Sequence, residues 1–178
     1  ARAKGIAVTN TPDVLTEDTA DLAMALILMA ARRLGEGERM LRGGGWTGWA
    51  PTQHLGRRVN GAKLGIIGMG RIGAALGRRA RGFGMGVHYH NRGPVEAGLA
   101  AELAATYWDD LDAMIGAVDI LSVNCPLSPE THHLLSAERL ALLQPHAFVV
   151  NASRGGIIDE AALADALKSG AIAGAGLD

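Results

Sequence analysis

From Lys63 onward the hydrophobic positions fall into short continuous runs, at 64–67, 86–90, 117–123, 148–151 and 171–177, with helical periodicity at 71–81 and 160–168. Runs of this length read as strands buried on both faces, and their alternation with helices predicts βαβ units in a parallel sheet. Right-handed crossovers then place every strand's C-terminal end on one edge, where open α/β sheets bind ligands. The expected architecture is α/β, a Rossmann-type doubly wound parallel sheet.

Ahead of the sheet, the pattern predicts a helix over 16–33. Thr16 stands as its cap, Glu17, Asp18 and Asp21 lie near its positive end, Arg32 and Arg33 near its negative end, and Gly35 follows. Leu22, Met24, Leu26, Ile27, Leu28 and Met29, with intervening alanines, make it apolar nearly all round. Such a helix needs cover on more than one side, either inside one domain or at a subunit interface. Over 34–62 the periodicity disappears, and Gly35, Gly37, Gly43, Gly44, Gly45 and Gly48 surround Trp46 and Trp49 ahead of Pro51. That predicts a long irregular segment with two aromatic anchors, of the kind that is usually functional. Folding back onto its own domain is the simpler destination, and a second surface is the other.

Composition narrows the picture. A chain of 178 residues buries a substantial core, roughly 70% of its unfolded surface, but leaves no room for a second large domain. A formal charge of -1 gives no basic excess, so nucleic acid and anionic lipid are not expected partners. Cys125 is the single cysteine, which rules out an intrachain disulfide, argues against a thiolate metal site and makes a reducing cytoplasm the expected setting. The longest apolar run, 22–31, is about half of the ~20 residues needed to cross a bilayer, and no signal-peptide pattern is visible. A start at Ala1 and a stop at Asp178 directly after an apolar run read as a piece of a longer protein.

The candidate chemistry begins at Gly68-Met69-Gly70-Arg71-Ile72-Gly73, which follows a predicted strand and opens a predicted helix. In that context Gly68 permits a tight turn, Gly70 lets backbone approach a pyrophosphate, and Gly73 lets helix and strand pack closely. Free amides at the helix start then bind phosphate. At the end of the second strand, where an acid would accept from the ribose hydroxyls of NAD, the chain has His90-Asn91-Arg92. Arg92 can hold a 2′-phosphate, which favours NADP over NAD, unless it is an ordinary surface arginine. The strand ends at Asn124-Cys125-Pro126 and Asn151 to Gly156 share this edge. There Arg154 can grip a small carboxylate in two-point fashion, or form a structural ion pair with Asp159 or Glu160. His88 with His90 and His132 with His133 lack companions at metal-ligand spacing, so no metal is expected. Cys125 reads as a packed side chain, and Ser153 lacks the setting of a hydrolase nucleophile.

Taken in order, Thr9 to Thr16, Ala20-Asp21-Leu22-Ala23, Trp46 to Pro51, the glycine turn, Cys125 to Thr131, Asn151 to Gly156 and Ala173 to Asp178 resemble the D-isomer-specific 2-hydroxyacid dehydrogenases. The resemblance spans the whole chain and is closest to the glyoxylate/hydroxypyruvate reductase branch. It implies that Arg71 and Ile72 contact the cofactor phosphates, that Asn91 and Arg92 occupy the ribose position, and that Pro126 borders the adenosine. It places Ala152, Ser153 and Arg154 near nicotinamide and substrate, with Arg154 catalytic, and gives Asp178 the carboxamide. Residues 1–15 become the tail of a substrate domain or hinge. Residues 16–178 become the NAD(P)-binding domain, homodimeric through the helix 16–33 and an arm over 34–62. The family's catalytic glutamate and histidine, and most of its substrate domain, fall outside the chain, so the piece alone is expected to be inactive. A small 2-oxo or 2-hydroxy acid is the implied substrate. Phosphoglycerate or another D-2-hydroxyacid dehydrogenase is the other enzymatic reading, and a dinucleotide-sensing corepressor-like dimer the non-enzymatic one.

Overall fold

The computed structural model describes residues 1–178. Its first long element, α1 (Thr16–Ala31), buries Ala20, Ala23, Met24, Ile27 and Ala31 along one stripe. Leu22 and Met29 on other faces stay 40% and 47% exposed, so a helix that is apolar nearly all round has cover on one side only. Thr16 is not the cap expected of it: it is the first helical residue, and Leu15 precedes it with no side-chain capping bond. The chain enters the helix through a turn in which Thr16 N–H donates to the Asp13 carbonyl, with Asp13 at φ 71.

The segment 34–62 also departs from expectation, because its first part is a second helix, α2 (Leu34–Arg42). Arg33 in the left-handed region breaks the chain away from α1, and ion pairs Arg33–Glu36 and Arg42–Glu38 line the new helix. At Gly37 the His54 ring packs closely, 3.1 Å from where a Cβ would sit, with its Nε2 2.9 Å from the Arg33 carbonyl. Beyond Arg42 the irregular part returns to the end of α1, where Arg57 N–H donates to the Ala31 carbonyl. Trp46 and Trp49 are 47% and 79% exposed, so neither folds back into the core.

The sheet strands are β1 (Lys63–Ile67), β2 (Gly86–His90), β3 (Thr106–Tyr107), β4 (Ile120–Val123), β5 (Phe148–Asn151) and β6 (Gly174–Leu177). All pairings are parallel, in the order β3-β2-β1-β4-β5-β6. The connecting helices are α3 (Arg71–Gly82), α4 (Ala97–Leu103), α5 (Leu111–Ala117), α6 (Ala137–Leu140) and α7 (Glu160–Ser169). The apolar run at 117–123 divides between the end of α5 and β4, and that at 171–177 contributes only its last residues to β6. Asp110 caps α5 by accepting from the Asp112 and Ala113 amides, and Asp159 caps α7 through Ala162 N–H.

Two apolar layers enclose the sheet. One joins α1 and α3 to Leu64, Ile66, Val87 and Tyr89; the other joins α5 and α7 to Ile67, Leu121, Val123 and Val149. Strand order reverses between β1 and β4, and the crevice opens there, beyond their C-terminal ends.

Candidate functional site

The glycine turn connects β1 to α3 at this reversal. Gly68 has φ 95, and a Cβ on it would lie 2.7 Å from the Cys125 amide nitrogen, so neither backbone nor space admits a larger residue. A Cβ on Gly73 would lie 2.5 Å from the Gly68 carbonyl oxygen, which fixes how closely α3 approaches the strand. Gly70 differs from both: a Cβ there would meet nothing within 4 Å and would project into the crevice. Among the described residues, no protein acceptor engages the first-turn amides of Arg71, Ile72 and Gly73. Open space over Gly70 and unsatisfied amides at a helix start are what a dinucleotide pyrophosphate requires, so the turn fits that group.

The end of β2 supports the turn from one side. Asn91 Oδ1 accepts from Met69 N–H at 2.7 Å, and Gly68 N–H donates to the His90 carbonyl at 3.1 Å. The Asn91 side-chain oxygen is thus committed to holding the loop. Arg92 is exposed and forms no ion pair among the described residues. Across from it, the Glu130 carboxyl is held below its ordinary value, first by the Ser128 hydroxyl donating at 2.7 Å and more weakly by the charge of Arg92.

The end of β5 is shaped by Asn151, which is only 5% exposed. Its Oδ1 accepts from Ser153 N–H at 2.9 Å and Ser153 Oγ at 2.8 Å, while its Nδ2 donates to the Arg154 carbonyl at 2.9 Å. This knot turns the chain so that Arg154 stands exposed at the crevice. Its Nη1 donates to the Ser153 carbonyl, and no carboxylate pairs with it among the described residues. The structural ion pair with Asp159 is not formed, because Asp159 caps α7, and Glu160 makes none either. At the end of β6, Asp178 N–H donates to the Asn151 carbonyl at 3.0 Å, and its side chain is exposed.

A cleft of about 770 Å³ brings these ends together. Gly70, Arg71, Ile72, Pro126, Ala152, Ser153 and Arg154 line it; Gly68 and Gly73 form the turn beneath, and Asn91, Arg92 and Asp178 stand outside its lining. One wall comes from residues not singled out as site residues: Asn10 to Asp13, Leu15, Thr16 and Thr19 before and within α1. Asp13 crosses to Arg71, Oδ1 to Nε, at 3.0 Å. Cys125 also lines the cleft, half-buried; burial pushes its thiol above the ordinary value, which fits a packed side chain. Among the described residues there is no cluster of three or more His, Cys, Asp or Glu that could hold a metal, and no helix is long and apolar enough to cross a membrane.

Comparison with known proteins places this geometry. Residues 24–178 match the family model described as D-isomer specific 2-hydroxyacid dehydrogenase, NAD binding domain. The glyoxylate reductase of Thermococcus litoralis is 45% identical over 182 positions, covering 100% of this chain and 54% of its own. A solved structure from Polaromonas, described as a D-isomer specific 2-hydroxyacid dehydrogenase, superposes with a TM-score of 0.95 at 47% identity, over 99% of this chain and 55% of that one. A glyoxylate reductase from Paecilomyes thermophila does so with 0.90 at 38% identity, over 99% and 52%. The chain spans about half the length of the curated relatives it matches.

Proposed function

Since the chain belongs to the D-isomer specific 2-hydroxyacid dehydrogenase family, we propose that it is the cofactor-binding portion of an NAD(P)H-dependent reductase of small 2-oxo acids, glyoxylate and hydroxypyruvate foremost. The observation that carries this reading is Arg154: an exposed guanidinium without a carboxylate partner, in the same cleft as a glycine turn that fits a dinucleotide.

When bound, the nicotinamide supplies the hydride. The protein's part is positioning and charge. The amides of Arg71, Ile72 and Gly73 and the Arg71 side chain hold the pyrophosphate, and Pro126 borders the adenosine. Arg154 takes the substrate carboxylate in two-point fashion and polarises the 2-oxo group, through charge-assisted contacts of about 1.5–3 kcal/mol each. Ala152 and Ser153 floor the reacting end, and the Asp178 carboxylate accepts from the carboxamide. None of the cleft-lining residues is a histidine. The proton for the developing alkoxide is assigned, as the family resemblance implies, to a histidine oriented by a glutamate and not to a residue of this cleft.

NADPH is the preferred cofactor in this reading. Asn91 turns its oxygen inward to Met69, and Arg92 remains available for a 2′-phosphate. Residues 1–15 act as hinge to the substrate domain. The uncovered faces of α1 and the arm with Trp46 and Trp49 form a homodimer interface, and the setting is the cytoplasm.

The test is Arg154→Ala in the full-length protein, followed by NADPH oxidation with glyoxylate. Loss of a transition-state contact of this kind lowers kcat/KM by about 100- to 1000-fold, while NADPH affinity stays unchanged. Normal turnover removes Arg154 from the active site.

A further inference from the structure

The arginine of the glycine turn already has a partner. Arg71 presents its Nε to Asp13 Oδ1 at 3.0 Å, with the two side chains 64% and 65% exposed. Asp13 reaches across from the opposite wall of the cleft, on a backbone held at φ 71. Outside glycine, that left-handed region is entered more readily by Asp and Asn than by most residues. The same turn closes through Thr16 N–H to the Asp13 carbonyl at 3.1 Å, so the carboxylate is tied to the start of α1. An anion from the segment before α1 thus stands at the mouth of the phosphate-binding turn.

Two negative groups have a claim on one guanidinium. Asp13 does not touch the first-turn amides of α3, so an arriving pyrophosphate finds them open. It also finds a full negative charge beside Arg71. Phosphate brings more charge than a carboxylate and gains the amides as well, whereas the exposed pair it displaces is a weak one. Like charges then disfavour Asp13 staying where it is.

We propose that Asp13 is a built-in competitor for the cofactor's phosphates. It holds Arg71 in the cofactor-free protein and gives it up on binding. Cofactor affinity is thereby set below what the turn alone provides, and the segment leading into α1 responds to occupancy of the site. The inference rests on the glycine turn being the dinucleotide phosphate site. Were Asp13 instead a prop that aims Arg71 at the phosphates, its removal would change affinity in the opposite direction.

NADPH titrations of the full-length protein, read by nucleotide fluorescence, decide between these. The variants are Asp13→Asn, Arg71→Met and the double substitution; Asn keeps the size and the left-handed backbone while removing the charge. Asp13→Asn should bind NADPH about threefold to tenfold more tightly. Most of that gain should vanish in the Arg71→Met background, and it should shrink as salt is raised to about 0.5 M. A gain in affinity cannot arise from damage to the fold. Unchanged or weaker binding by Asp13→Asn overturns the proposal, and so does a gain of the same size without Arg71. A wild-type protein that binds neither NADPH nor NADH overturns the assignment of the turn itself, and the wild-type control separates that failure from the others.

Discussion

Gly73 and Gly70 stand three residues apart in one turn, yet alanine at each should act on different properties. At Gly73 the added Cβ would lie 2.5 Å from the Gly68 carbonyl oxygen and 3.1 Å from Ile66 Cγ2. Carbon needs roughly 3.5 Å from such neighbours, so α3 must retreat by about 1 Å from β1. Overpacking against backbone costs in the upper part of the usual range, about 2–3 kcal/mol, offset by about 1 kcal/mol of helix propensity gained over glycine, for a net loss of about 1–2 kcal/mol. At Gly70 a Cβ meets nothing within 4 Å, and φ -88 with ψ -155 suits alanine. Gly70 is the N-cap, where alanine is less favourable than glycine, so stability there should fall by only about 0.5–1 kcal/mol. The added methyl occupies the space where pyrophosphate approaches, so dinucleotide affinity should fall at least about tenfold, or 1.4 kcal/mol. Urea unfolding of each variant, paired with NADPH titration, measures both axes. If Gly73→Ala is as stable as wild type, the close approach of helix and strand is not the constraint described. If Gly70→Ala binds normally, the phosphates do not pass over that residue.

Two further outcomes are expected. Arg92→Ala should weaken NADPH binding by about tenfold to a hundredfold while leaving NADH binding nearly unchanged, as loss of one charge-assisted contact implies; equal losses for both cofactors in parallel titrations would remove the 2′-phosphate from Arg92. His88 should make stability depend on pH. Its imidazole is held below the ordinary value, chiefly by burial and then by the charge of Lys63, with Asp119 opposing, and it accepts from Trp108 Nε1 at 3.1 Å. A base depressed in the folded state is protonated first in the unfolded chain. Its stabilisation is therefore complete above the unfolded value of about 6.5 and is lost as pH falls below it. The urea midpoint of wild type should fall relative to that of His88→Phe on acidification, and a relative midpoint that stays constant or rises instead contradicts the assignment.

The parts of this fold legible in the sequence are those governed by local sterics and continuous burial. The glycine turn could be read because φ 95 at Gly68 and the near contact at Gly73 permit one residue type, and spacing alone reveals them. Strands β1 and β5 could be read because both faces are covered and the apolar run is nearly unbroken, whereas β2 buries only Val87 and Tyr89 and is legible from its place after the helix that follows the glycine turn. Helix α2 was hidden because Gly35 and Gly37 signal a break, whereas the helix is held by ion pairs and by the packing of His54 against Gly37. Strand β3 has two residues and exists through its pairing with β2, which leaves no periodicity to detect. Thr16 was placed in the right turn but one position late, since caps depend on a backbone angle that residue type only biases. At the site, Arg71 and Arg154 follow from their neighbours in sequence. Asp13 does not, because its partner lies in a distant segment and only the folded chain brings them together.

The bond between Met69 N–H and Asn91 Oδ1 gives positions 91 and 92 different latitude in evolution. Arg92 makes no ion pair among the described residues and carries no such duty to the loop, so drift or design can exchange it. Position 91 is confined to side chains that deliver an oxygen to Met69, a condition that Asn and Asp meet and that longer, shorter or apolar residues do not. The path for a new charge here is therefore narrow: an acid can enter at 91 only as aspartate, where one oxygen keeps the loop in shape and the second is left free.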